Sequence, residues 1–355
     1  MKRSLPLLPF ICLVAFACSN DHYSLNDFKD VAKVDTHFHL NAENPVLIDL
    51  AKDDNFTLLT VNVDAGTPIN EQERIARIIV GQYPVRVQYL STFGMNGWPK
   101  PTWRDSTLSR MKDSFEHGAL GIKIWKNIGI VDRDSTGNFI MVDDPAFDPI
   151  IQLLIDQDKT LLGHLGEPKN CWLPLEEMTV NNDRSYFKAH PKYHMYLHPE
   201  YPGYDEVIAA RDHLLENHPD LRFVGAHLGS LDWDLDELAK RLDKFPNMAV
   251  DVAARIPHLQ YLTQKDREKV RTFFDRYQDR IIYATDSGIE PDSDPQQEKK
   301  SMHEVWLADW KYFATDETLT SPQVNGEFKG LQLHKNIIDK VYRENAIRWF
   351  KMKRL

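Results

Sequence analysis

Cysteine is nearly missing from the part of this chain that can fold. Of three in 355 residues, Cys12 and Cys18 fall in the first eighteen positions, which leaves Cys171 alone. One thiol cannot close an internal disulfide, so a packed core must hold the fold. No base stands next to Cys171 to make it a nucleophile. Long hydrophobic runs are also missing. The one apolar stretch, residues 5–17, is broken by Pro6 and Pro9 and is too short to span a bilayer. Positive charge is in deficit, with 43 Lys and Arg against 53 Asp and Glu, and this excludes the basic surface that a nucleic-acid partner needs. There is no block of like charges and no internal repeat.

The first residues read as a targeting segment. Lys2 and Arg3 form a positive start, the short apolar run follows, and Ala15-Phe16-Ala17-Cys18 closes it. A small residue before a cysteine resembles the lipobox of bacterial lipoproteins, although Ala15 stands where leucine is commonest. The expectation is a signal peptide over residues 1–18, lipidation at Cys18, and an exported periplasmic or cell-envelope protein. The alternative is an ordinary cleaved signal peptide. On this reading the protein touches membrane only through its lipid anchor. Residues 19–32, short and polar, would be a tether, and residues 33–355 one domain.

Within that domain, short apolar β-branched runs alternate with stretches of helical spacing. Strands are expected at residues 33–40, 56–63, 85–92, 119–125, 159–164, 221–227, 248–252 and 280–286. Helices are expected at 70–83, from Asp105 as N-cap towards Gly118, from Asp144, and at 206–217, 235–245, 266–277, 303–313 and 335–350. Residues 165–204, rich in Pro, Tyr, Trp and His, have no periodicity. Eight strands alternating with helices are the pattern of a (β/α)8 TIM barrel, an α/β fold. A doubly wound sheet would want a Gly-rich phosphate loop after the first strand, and none is there.

Barrel chemistry sits at the C-terminal ends of the strands. There the chain has His37 and His39, then Lys123, His164, His227 and Asp286. Period-2 alternation puts His37 and His39 on one face, where two imidazoles can grip one ion. Each of the other residues also has a bland reading. His164 and His227 could be core histidines, Lys123 half of a buried ion pair, and Asp286 a turn cap. Four strands offering nitrogen or oxygen ligands at one end of a barrel favour a metal site.

At these residues the chain resembles the amidohydrolase superfamily, in its amidohydrolase-related branch. The matching pieces are Asp35-Thr36-His37-Phe38-His39, Gly121-Ile122-Lys123, His164, Ala226-His227-Leu228-Gly229, Thr285-Asp286 and Glu344-Asn345-Ala346-Ile347-Arg348-Trp349-Phe350. The resemblance implies that His37, His39, His164 and Asp286 hold one divalent metal, zinc by expectation. Asp286 would then serve as the proton-transfer group and His227 would orient water or polarise a carbonyl. Lys123 would contact a substrate anion or, in a two-metal variant, be carbamylated and bridge both ions. Glu167 is a candidate substrate contact in the long segment. Arg211 is a candidate for a substrate carboxylate, the alternative being an ion pair on a helix surface.

The branch is similar both to lactone and amide hydrolases and to non-oxidative decarboxylases such as aminocarboxymuconate semialdehyde decarboxylase. The leading expectation is a hydrolase acting on an ester, lactone or amide of a small molecule. A decarboxylase and a non-catalytic exported binding protein are the alternatives.

Overall fold

The computed structural model describes residues 21–353, so the leader and the expected anchor at Cys18 lie outside the described residues. The strands are β1 (Lys33–Leu40), β2 (Phe56–Val61), β3 (Val87–Thr92), β4 (Gly121–Ile124), β5 (Thr160–Gly163), β6 (Arg222–Gly225), β7 (Met248–Asp251), β8 (Ile281–Ile282) and β9 (Ser287–Ile289). All pair in parallel in the order β8-β7-β6-β5-β4-β3-β2-β1-β9. The eighth expected strand is thus two segments of one passage. β8 pairs with β7, and β9 pairs with β1 and closes the (β/α)8 barrel. Closure needs a residue without a side chain, because a Cβ on Gly288 would lie 2.2 Å from the His39 carbonyl oxygen.

Alternation along the strands divides two apolar layers. Leu161, Phe223, Met248, Val250 and Ile281 face the surrounding helices, whereas Leu162, Val224, Ala249 and Ile282 pack inside the barrel. Trp349 and Phe350 of the last helix, Asn345–Phe350, join the inner layer and plug one end. Thr160 Oγ1 and Trp349 Nε1 fasten that plug, donating to Trp349 O and to Asp279 O. On β1 the alternation is reset. A register shift between Asp35 and Phe38 turns Phe38 towards the outer layer, as a β-bulge does.

Several expectations change. Residues 21–32 do not hang as a tether: Leu25–Phe28 is a short 3-10 helix, Phe28 is buried in the core, and Tyr23 Oη donates to Asp339 Oδ1 at 2.9 Å. The helix expected from Asp105 begins earlier, as Pro101–Glu116, with proline in its first turn. Helices Val46–Asp53 and Ile256–Lys265 and a hairpin of β10 (Thr318–Ser321) and β11 (Val324–Lys329) were not expected. The long segment after β5 holds one α-helix, Asn181–Ala189, and four short 3-10 turns. No helix among the described residues is long and apolar enough to cross a membrane.

Candidate active site and metal centre

One cavity of about 640 Å³ opens at the C-terminal strand ends, lined by His37, His39, Lys123, His164, Glu167, His227 and Asp286 among others. Its centre is a cluster of acceptors. The bulge in β1 leaves His37 and His39 with their Nε2 atoms 3.1 and 3.2 Å from the same oxygen, Asp286 Oδ1. Their other ring nitrogens are committed. His39 Nδ1 is 2.9 Å from the Val61 carbonyl and His37 Nδ1 is 3.1 Å from Asp251 Oδ2, so both rings carry the proton on Nδ1 and present an Nε2 lone pair inward. Burial, reinforced by Lys123, lowers the His37 pKa and keeps the ring neutral. Two lone pairs therefore face a carboxylate oxygen, and one of them, His37 Nε2, is reached by a donor, Lys123 Nζ at 2.8 Å.

A second pair repeats the shortage of protons. His227 Nδ1 donates to the Ala253 carbonyl at 2.9 Å, which leaves its Nε2 lone pair 3.2 Å from His164 Nδ1. His164 Nε2 is 3.4 Å from Glu167 Oε2, another acceptor. Burial holds both imidazoles well below their usual pKa, so neither ring has the second proton it would need. A cation is what such a donor set lacks, and nitrogen with carboxylate oxygen suits zinc and its neighbours. His37, His39 and Asp286 lie close enough together to hold one ion. His164 is not in that trio. It lines the same cavity beside His227.

Backbone strain surrounds these groups. His227, Leu228, Gly229 and Ser230 are four consecutive left-handed residues, and Ala254 and Asp286 are left-handed too. Each non-glycine residue there costs about 1–2 kcal/mol, so the fold must clamp them. Asp251 Oδ1 accepts from His227 N at 2.7 Å, and Tyr204 Oη donates to Ser230 O at 2.6 Å. Arg211 Nη1 donates to Gly229 O while Nη2 bonds Asp212 at 2.6 Å. Arg211 is therefore neither a substrate contact nor a surface ion pair. It is 1% exposed, away from the cavity lining, and holds the strained turn. Glu167 does line the cavity, but Lys126 Nζ is bound to its Oε1. Cys171 is buried, which pushes its thiol pKa well up and away from nucleophile chemistry.

Three residues that line the cavity or bond to its histidines carry no mark in the sequence. Asp251 ends an apolar strand and reads there as a mere terminus. Lys126 follows β4 by two residues, and Arg255 opens a helix that was not foreseen. Nothing in their local pattern marks them; the signal that could have found them is position at a strand end.

The Amidohydrolase family model matches residues 34–352. The chain belongs to the amidohydrolase family. Membership makes this amidohydrolase an enzyme, hydrolase or decarboxylase, rather than a passive binder. No curated protein matches the sequence. Among solved structures it is similar to 2,6-dihydroxybenzoate decarboxylase from Rhizobium, at 14% identity, TM-score 0.55, covering 90% of this chain and 98% of that one. An amidohydrolase II is similar at 14% identity, TM-score 0.50, with 90% and 100% covered. At such identity the likeness is one of fold.

Proposed function

We propose that this amidohydrolase is a metal-dependent hydrolase that adds water to an ester, lactone or amide carbonyl of a small molecule. The observation that carries the reading is Asp286. Its Oδ1 faces the two histidine lone pairs, while the side chain is 31% exposed and lines the cavity. Asp286 Oδ2, without a protein partner among the described residues, can take the proton of an attacking water and return it to the leaving group. His37, His39 and Asp286 would hold the ion, zinc by donor type, with His164 in the same cavity beside them. Bound there, a divalent cation would supply Lewis acidity and lower the pKa of water towards neutrality. His227 Nε2, aimed by the bond from Nδ1 to Ala253, orients the water. Burial lowers the Lys123 pKa to about 8, so at neutral pH its ammonium still offers a proton donor to a substrate oxygen.

A second reading rests on the cations that line the same cavity, Lys123, Lys126 and Arg255. They favour an acid as substrate and are compatible with non-oxidative decarboxylation, in which a proton replaces carbon dioxide on carbon. A panel of lactones, esters, amides and unsaturated or aromatic acids, followed for both acid release and carbon dioxide, separates the two. Acid release without carbon dioxide is the expected result. Carbon dioxide release assigns the second reading, and turnover that survives chelation contradicts both.

A further inference from the structure

The three cations of the cavity differ in how far they are already engaged. Lys126 Nζ is bound to Glu167 Oε1 and lies 3.3 Å from Tyr186 Oη. Lys123 Nζ sits 2.8 Å from His37 Nε2. Arg255 is 5% exposed and has few hydrogen-bond partners, although Asp232, Asp183, Glu167 and Asp286 all lie near enough to raise its pKa. Its Nη1 donates to the carbonyl of its own neighbour, Ala254, at 3.2 Å. Its Nε has no hydrogen-bond partner, and the Asp232 Oδ1 facing it is 3.7 Å away. No hydrogen bond among the described residues uses Nη2. A buried guanidinium is expected to fill its fork of five donors, because an unmet buried donor is costly.

The groups behind Arg255 hold it in place without satisfying it. Asp183, a further acid near it, is occupied by His258 Nε2 at 2.9 Å and Asn170 Nδ2 at 2.8 Å. Asp232 keeps both oxygens without a hydrogen bond, its Oδ2 lying 3.2 Å from His258 Nε2 as an ion pair. Ala254 is held left-handed, at φ +52°, immediately before Arg255. A residue with a Cβ stays in that conformation only where its surroundings enforce it, and such strain gathers at binding sites. Arg255 and Asp286 line one cavity.

We propose that Arg255 binds a carboxylate of the substrate, one that is not itself the reacting group. The substrate is then an organic acid with two functions. Its carboxylate takes the Arg255 fork, and its reacting group lies at His37, His39 and Asp286. Guanidinium and carboxylate match in shape as well as charge, so the contact selects acids over their amides. The assignment rests on reading that cluster as the catalytic centre.

The test uses benzoate and benzamide, close in shape and different in charge, titrated calorimetrically into the full chain, both zinc-loaded and chelator-treated. Wild type should prefer benzoate. Arg255→Gln should weaken benzoate by roughly tenfold or more, the size expected for a charged hydrogen bond, and leave benzamide unchanged. Arg255→Lys, which keeps the charge but loses the fork, should recover part of the loss. Unchanged benzoate binding in Arg255→Gln overturns the proposal, and so does an equal loss for benzamide, which marks a purely structural role. If the variant does not fold, wild type alone decides: no preference for benzoate overturns the proposal. Elemental analysis runs separately. Absence of metal sinks the catalytic reading, while the chelator-treated titration still reports on Arg255.

Discussion

Asp286→Asn should lower turnover about 10²–10⁴-fold, the range for losing a positioned proton-transfer group. The substitution keeps size and shape, so the cavity should survive it. It alters two things at one position. Asp286 Oδ1 now completes an acceptor set with His37 and His39 Nε2 at 3.1 and 3.2 Å, and the amide removes the charge from that set. The second oxygen, the proposed proton acceptor, becomes either an NH2 or a neutral carbonyl, and neither is a base. Steady-state kinetics on metal-reconstituted protein checks the outcome. A drop in kcat at full metal content assigns the loss to proton transfer, and a drop that follows metal content assigns it to ligation. Wild-type kcat in Asp286→Asn would remove this residue from the mechanism.

Asp251→Asn should weaken metal affinity about 10–100-fold, the cost typical of losing the partner that orients a histidine ligand. Asp251 is fully buried and serves two members of the site at once. Its Oδ2 faces His37 Nδ1, and its Oδ1 accepts from His227 N at 2.7 Å and Ala253 N at 3.1 Å. In the asparagine variant the carbonyl stays with the two backbone donors, because they need an acceptor. The NH2 must then face His37 Nδ1, which can accept only if the ring proton moves to Nε2. That tautomer turns the metal-facing lone pair into an N–H. Competition with a metal-binding dye measures the affinity, and an unchanged value would show that His37 does not depend on Asp251 for its tautomer.

Much of the barrel could be read from the chain because its strands obey simple rules. Leu161 and Leu162, or Phe223 and Val224, are adjacent apolar pairs, and a strand buried on both faces has no other composition. The elements that escaped are those whose sequences obey no such rule. Helix Ile256–Lys265 has a proline at its second position and begins two residues after left-handed Ala254, and the β10–β11 hairpin is polar on its exposed faces. At the site, strand-end position brought His37, His39, Lys123, His164, His227 and Asp286 to one cavity. Position along a strand does not say which ring nitrogen faces which atom, so the expectation of His164 as fourth ligand could not foresee that its Nδ1 faces His227. Arg211 was misread for a related reason. A charged residue on a helix looks solvent-facing until the strained turn at Gly229 is seen to need a donor.

The central claim is that the acceptors around Asp286 Oδ1 exist to hold a divalent ion. Elemental analysis of the purified chain, set beside His37→Ala, tests it most directly. The expected result is close to one divalent metal per wild-type chain, restored by dialysis against zinc after chelation, and little or none in His37→Ala. A wild-type chain that neither retains nor takes up a divalent ion, or a His37→Ala variant that holds as much as wild type, would contradict it.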